Sequence, residues 1–277
     1  MKALRRLIRL TLLTAITAGV AYVAQDFWIY PALSKSKRFE FSSKEQPPPR
    51  AVERIRIESG ENELEAWKLA ASGEAAPIAL LLHSEKQTLP DAYKIQKFFH
   101  SLGYTSYTFD YRGMGASTGW PTEQGLMEDA EAAFAEVAAR EKTAPADILL
   151  VGVSLGASLA ARLAETHQSR SLFLLLPHPG LKARMSRMGF EQATPLLRAS
   201  FPLEVPLGML EDRCLVFVNS PVGSGPSDGE VSRLADLAAT QNTVHRFTST
   251  TTARPLELLE TLRSQVEAAL AQCRGRT

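Results

Sequence analysis

The sequence predicts an α/β fold, a mostly parallel sheet with helices on both faces, and three observations predict it. Short apolar runs recur along the chain without the in-out alternation of a half-exposed strand, as expected of strands buried on both faces. Stretches with apolar residues at helical spacing separate them, so strand and helix alternate. Between one such run and one such stretch stands Gly152-Val153-Ser154-Leu155-Gly156, a strand-to-helix turn too tight for ordinary side chains. At 277 residues the chain is long enough for one medium domain with a large core.

The elements follow in order. Lys2, Arg5, Arg6 and Arg9 precede an uncharged run from Leu10 to Ala24, then Gln25-Asp26 and the aromatic group Phe27, Trp28 and Tyr30. That run is shorter than the ~20 residues of a full span, but it lengthens if Arg9 reaches back to the membrane surface, and the aromatic group suits an interface. Residues 1–30 are read as an uncleaved signal anchor, a transmembrane segment, with a cleaved signal peptide and a secreted protein as the alternative. The leading basic residues favour the N-terminus inside and the remainder on the outer, extracytoplasmic face. Residues 31–50, polar, basic and ending in Pro47-Pro48-Pro49, read as a linker, and 51–277 as the folded domain.

Val52 to Glu58 and Glu63 to Leu69 are β-like. The buried strands are expected at Ile78 to Leu82, Tyr104 to Tyr111, Ile148 to Val153, Leu172 to Leu176 and Cys214 to Val218, with a less marked one at Thr243 to Thr248. Helices are expected over 122–140, from the stripe Leu126, Ala130, Ala133, Phe134 and Val137, and over 255–272, from Leu256, Leu259, Leu262, Val266 and Leu270. Leu181 to Arg213 is too short for a substantial lid, which predicts a fairly open top to the sheet.

Composition narrows the partners. A net charge of +1 gives no reason to expect nucleic acid. His, Cys, Asp and Glu nowhere fall at metal-ligand spacing, and no glycine loop suits a phosphate, so neither a metal nor a cofactor is implied. The two cysteines form no disulfide framework: Cys214 opens a buried strand and Cys273 is expected exposed near the C-terminus, a bridge between them being left open. The expected partners are the membrane, through the N-terminal helix, and a small acyl or lipid-like ligand; the sequence names no protein partner.

The chemistry centres on Ser154. Gly152 and Gly156 let strand and helix approach, and the helix start offers the backbone N–H of Leu155 to a developing oxyanion. This elbow, together with Asp110-Tyr111-Arg112-Gly113-Met114-Gly115-Ala116-Ser117-Thr118-Gly119 and Pro121-Thr122-Glu123-Gln124-Gly125-Leu126, resembles the serine-aminopeptidase-like and monoacylglycerol-lipase-like branch of the α/β-hydrolases, including its membrane-tethered members. The resemblance carries specific motifs from about Ala76 to Pro177. It implies an eight-stranded sheet and hydrolysis of an ester, thioester or amide through an acyl-serine. Asp110 and Arg112 are read as pins of a loop whose turns Gly113 and Gly115 permit.

Measured against that family, the rest of the machinery departs. The oxyanion loop, His-Gly in the family, reads His83-Ser84-Glu85, so Ser84 and Glu85 would supply the second N–H, and an inward Glu85 carboxylate would oppose the negative charge to be stabilised. Gly223 stands where the family places its acid. Asp228 follows, but Ser227-Asp228-Gly229-Glu230 also fits a helix capping box, the preferred reading. No histidine follows His245, which falls inside the last strand and is read as packed there. His100 and His167 are read as surface groups. His178 and His83, each ending a strand beside the elbow, are the candidate bases, His178 ahead. Two functions stay open: a serine hydrolase with a rewired base, and a relative keeping the fold as a binding module with activity weak or lost.

Overall fold

The computed structural model describes residues 49–275 except 74, 188, 190, 198, 199, 224 and 253, together with 6, 9, 11–14, 16, 17 and 19. The expected membrane segment (1–30) and linker (31–50) therefore lie almost wholly outside the described residues. Among those described, no helix is long and apolar enough to cross a membrane.

Eight strands form one sheet: β1 (Glu53–Ser59), β2 (Asn62–Leu69), β3 (Ile78–Leu82), β4 (Thr105–Phe109), β5 (Leu149–Val153), β6 (Ser171–Leu175), β7 (Cys214–Asn219) and β8 (Thr243–Thr248), in the order β1-β2-β4-β3-β5-β6-β7-β8. The β1/β2 and β2/β4 pairs are antiparallel; β4/β3, β3/β5, β5/β6, β6/β7 and β7/β8 are parallel. The central strands β3, β4 and β5 are buried at every residue; in β3 and β5 this is the outcome of apolar runs with no polar face, whereas β4 also buries Thr105, Ser106 and Thr108.

Side chains of alternate strand residues feed two cores. On one face Leu80, Leu150, Leu172, Leu174 and Phe217 pack with Leu126, Ala130 and Phe134 of α2 (Glu123–Glu141) and Leu159 and Leu163 of α3 (Leu155–His167). On the other, Leu81, Val151, Phe173 and Val216 meet Ile95, Phe98 and Phe99 of α1 (Leu89–Ser101). The C-terminal helix also covers this second face. It was expected as one element over 255–272, but it breaks at Leu262 into two helices, α7 (Pro255–Thr261) and α8 (Arg263–Arg274), with both Leu259 and Val266 buried.

Cys273 is not exposed: it is 4% accessible and bridged to Cys214, with Cα atoms 5.4 Å apart. The stripe Leu262, Val266 and Leu270 turns that helix face, Cys273 included, toward the sheet. The loop after β4 is pinned more deeply than the sequence suggested. Arg112 reaches Asp129, which is fully buried in α2 and also accepts from the Ser59 hydroxyl and the Arg112 backbone N–H.

Candidate active site

Parallel strands end at one edge, and β3 and β6 flank β5 there. Their ends bring together Ser154 after β5, His83-Ser84-Glu85 after β3 and His178 after β6. The turn at Ser154 is as tight as its glycines suggest. A Cβ on Gly152 would lie 2.5 Å from Ala157 Cα, and one on Gly156 would lie 2.0 Å from the Leu82 carbonyl oxygen. Ser154 itself has φ 54° and ψ −112°, backbone that a side chain rarely adopts and that costs about 1–3 kcal/mol. Its N–H is anchored on Leu175 O at 3.0 Å.

The top of this edge is partly covered. Leu181 to Arg213 forms two short helices, α4 (Leu181–Arg187) and α5 (Glu204–Met209), separated by a 3-10 turn at Glu191–Leu196. Backbone bonds from Leu181 N to Ser200 O and from Leu203 N to Pro179 O close this segment on itself. Glu123 accepts from the N–H groups of Ser200 and Phe201, and the Ser158 hydroxyl donates to Phe201 O, which fastens the segment over α3. Beneath it lies a pocket walled by Ser154, Leu155, Glu85, His178, Arg184 and Phe201, its free volume of about 20 Å³ being room for one or two waters.

Ser154 Oγ donates to Glu85 Oε2 at 3.3 Å, a long bond for a hydroxyl. Glu85 is only 4% accessible, and its other carboxylate oxygen is ion-paired with Arg184. Burial alone pushes the Glu85 carboxyl up. The charge and hydrogen bond of Arg184, a bond from Glu85's own backbone N–H and the neighbouring His178 together pull it below its ordinary value. The side chain therefore turns inward, beside the N–H expected as an oxyanion donor. The Ser84 N–H is taken by Gln87 Oε1 at 3.0 Å. Leu155 opens α3 and lines the pocket.

The histidines diverge. His83 is fully buried, with Nδ1 2.8 Å from Ser84 O and Nε2 3.3 Å from Asp110 Oδ1; the latter contact lacks hydrogen-bond geometry, so Nε2 is an unpaired buried nitrogen facing a carboxyl. Both ring nitrogens thus point to the loop, none to Ser154. His178 does reach the pocket, but its Nδ1 accepts from Arg187 at 2.6 Å. A nitrogen that accepts from a guanidinium carries no proton, so the neutral ring holds its proton on Nε2. Burial, then Arg187 and Arg184, lower its pKa to about 4.

Asp228 lies at the first turn of α6 (Asp228–Ala239), where Ser227 and Glu230 form a capping box, and its Oδ1 accepts from Thr248 Oγ1 at 2.8 Å. Gly223, after β7, has φ 67°. His245 sits in β8 with a buried, unpartnered Nε2. His167 is half-buried, stacked on Phe134 and paired with Glu131. His100 contacts Ala70 O at 3.1 Å. Arg184 and Arg187 were missed in the sequence; Lys182, Arg184 and Arg187, three cations soon after His178, were the available signal.

The sequence family described as alpha/beta hydrolase fold matches residues 80–206. An α/β hydrolase from Vibrio vulnificus superposes with a TM-score of 0.68 at 21% identity, covering 79% of this chain and 81% of that one. The chain has the α/β-hydrolase fold. Among curated relatives of this α/β-hydrolase-fold protein, an uncharacterized protein of Mycobacterium tuberculosis is 34% identical over 110 residues, 40% of this chain and 39% of that protein. The lysophosphatidylserine lipase ABHD12 of Gallus gallus is 37% identical over 99 residues, 35% of this chain and 26% of that protein. The matches thus span well under half the length of these relatives.

Proposed function

We propose that this chain is a membrane-tethered relative of the α/β-hydrolases in which the triad is degenerate, hydrolysis by Ser154 is feeble, and the pocket over the elbow, which has room for only one or two waters as it stands, widens to take a small acyl or lipid-like ligand. The observation that carries this reading is the state of Ser154: its hydroxyl donates to the Glu85 carboxylate, and no histidine accepts from it among the described residues. A general base commonly contributes about a hundred- to ten-thousandfold to such reactions. In a triad the acid accepts a hydrogen bond from the histidine Nδ1–H, which leaves Nε2 free to accept the serine proton. At His178 the polarity is reversed, because Arg187 donates to Nδ1 and Nε2 keeps its proton. Forming an imidazolium there is disfavoured by roughly 3 kcal/mol relative to an ordinary histidine, from the drop to about 4.

Charge at the oxyanion position points the same way. A second anion about 4 Å from the Glu85 carboxylate costs about 4 kcal/mol at an effective dielectric constant near 20, before Arg184 cancels part of it. The lipid-like ligand rests on the apolar walls Leu155, Leu181 and Phe201, and on the lysophosphatidylserine lipases among the partial relatives. Placement of the domain outside the membrane rests on the basic residues before the apolar run and on the Cys214–Cys273 bridge, which suits an oxidising compartment.

A second reading has one observation in its favour. The strained backbone at Ser154 is costly to keep without use, and His178 shares its pocket, so an active serine hydrolase with His178 as base is the competitor. Labelling of the folded protein with a fluorophosphonate probe separates the two. Our reading expects no labelling of Ser154 above that of the Ser154→Ala variant. Stoichiometric labelling that vanishes in the variant would establish an activated serine and overturn it.

A further inference from the structure

Far from Ser154, at the opposite end of the parallel strands, Cys214 begins β7, His245 lies in the edge strand β8, and Cys273 comes from α8 (Arg263–Arg274). Their two sulfurs and a ring nitrogen of His245 all lie within 4.8 Å of one another. The sheet register explains the meeting. His245 pairs with Val216, so it shares a sheet face with Cys214 two residues away, and the apolar stripe of α8 lays Cys273 on that face. Both cysteines are buried, at 2% and 4% accessibility. His245 Nε2 is a buried nitrogen without a hydrogen-bond partner, which is costly to leave so and calls for an explanation.

We propose that Cys214, Cys273 and His245 form a redox-gated site for a zinc-class divalent cation: closed as a disulfide in the oxidised protein, and metal-binding once reduced. Two thiolates and one imidazole are the donor set of a tetrahedral zinc site, with water filling the fourth position. Two sulfurs on one zinc stand ~3.8 Å apart, given Zn–S bonds of about 2.3 Å. Cα atoms 5.4 Å apart allow that separation by side-chain rotation alone.

A dithiol reductant delivers two electrons and two protons, the S–S bond breaks, two thiols form, and the reductant departs as its own disulfide. Zinc then displaces both thiol protons to solvent and takes the lone pair of His245. Either way the C-terminal helix stays clamped to the sheet, covalently in an oxidising compartment and through the metal in a reducing one. The ligands are 31 and 28 residues apart along the chain, so no local spacing announces the site.

The test uses the whole chain and Co²⁺ as a spectroscopic stand-in for zinc. After reduction with a phosphine, one equivalent of Co²⁺ should give thiolate-to-cobalt charge-transfer absorption and the strong visible bands of a tetrahedral ion, and zinc should abolish both. The oxidised protein should give neither. His245→Ala, which keeps both thiols, should weaken Co²⁺ binding roughly tenfold or more, and Cys214→Ser should remove the charge-transfer bands. Zinc should also raise the thermal midpoint of the reduced wild type, not of His245→Ala. Absence of these bands in a reduced protein that keeps its circular dichroism would overturn the proposal. So would bands indifferent to His245→Ala, or a reduced chain that unfolds and is not restored by zinc.

Discussion

The reversed polarity of His178 makes a measurable prediction about stability. Its pKa is lowered to about 4 by burial first and then by Arg187 and Arg184, whereas in the unfolded chain it should titrate near the ordinary 6.5. Between those two values the unfolded state binds the proton and the native state does not. Stability from this group is therefore complete above 6.5 and falls as the pH drops toward 4, where about 3 kcal/mol has been lost. For a domain of this size that is about 6–12 °C of melting temperature. Nitrogen-15 NMR of the ring reads the cause directly: the wild type should show the Nε2–H tautomer, and a charged ring only near pH 4. Arg187→Met should raise the pKa, yet leave it below the ordinary value because burial, the larger cause, remains. It should also flatten the stability profile between pH 6.5 and 4. A wild-type His178 already charged at pH 6, or present as the Nδ1–H tautomer, would refute the argument and restore it as a workable base for Ser154.

Three further outcomes follow from the same geometry. Arg184→Met strands the buried Glu85 carboxylate and should cost about 3 kcal/mol at pH 7 in denaturant unfolding, because removing one partner of a buried pair leaves the other uncompensated. Glu85 lies below its ordinary value in the wild type, and burial alone would raise it in Arg184→Met, so the margin between them should be full only above the variant's raised value and vanish as the pH falls through the wild type's lowered one; a margin unchanged by acid would refute the pairing. At Ser154, where φ is 54°, Ser154→Gly should be about 1 kcal/mol more stable than Ser154→Ala in the same assay, since only glycine relaxes that backbone; equal stability would mean the strain is not there. Replacing both Cys214 and Cys273 by Ala should cost about 4 kcal/mol, the loop entropy of a 59-residue separation, and calorimetry showing no loss would deny the bridge.

What the sequence made legible, and what it did not, follows from the range of the interactions involved. Strands such as Ile78–Leu82 and Leu149–Val153 were readable because burial on both faces leaves a local trace, an unbroken apolar run. The turn at Ser154 was readable because close approach demands glycine at fixed offsets on either side. The Ser227–Glu230 cap was readable because its partners stand three residues apart. The pairings that decide the chemistry leave no such trace. Glu85 meets Arg184 across 99 positions, and Arg112 meets Asp129 across 17. The fastening of 181–210 partly over the pocket leaves no local trace either, because it depends on Glu123 reaching that segment from α2. Cys273 was misjudged because nearness to a chain end suggests exposure, but the helical stripe ending at Leu270 already set which way the next turn faces. Local patterns thus gave the scaffold and the position of the serine. The question of whether that serine is activated turns on Arg187, Arg184 and Glu85, charges whose meaning appears only when β3, β5 and β6 bring them to one edge.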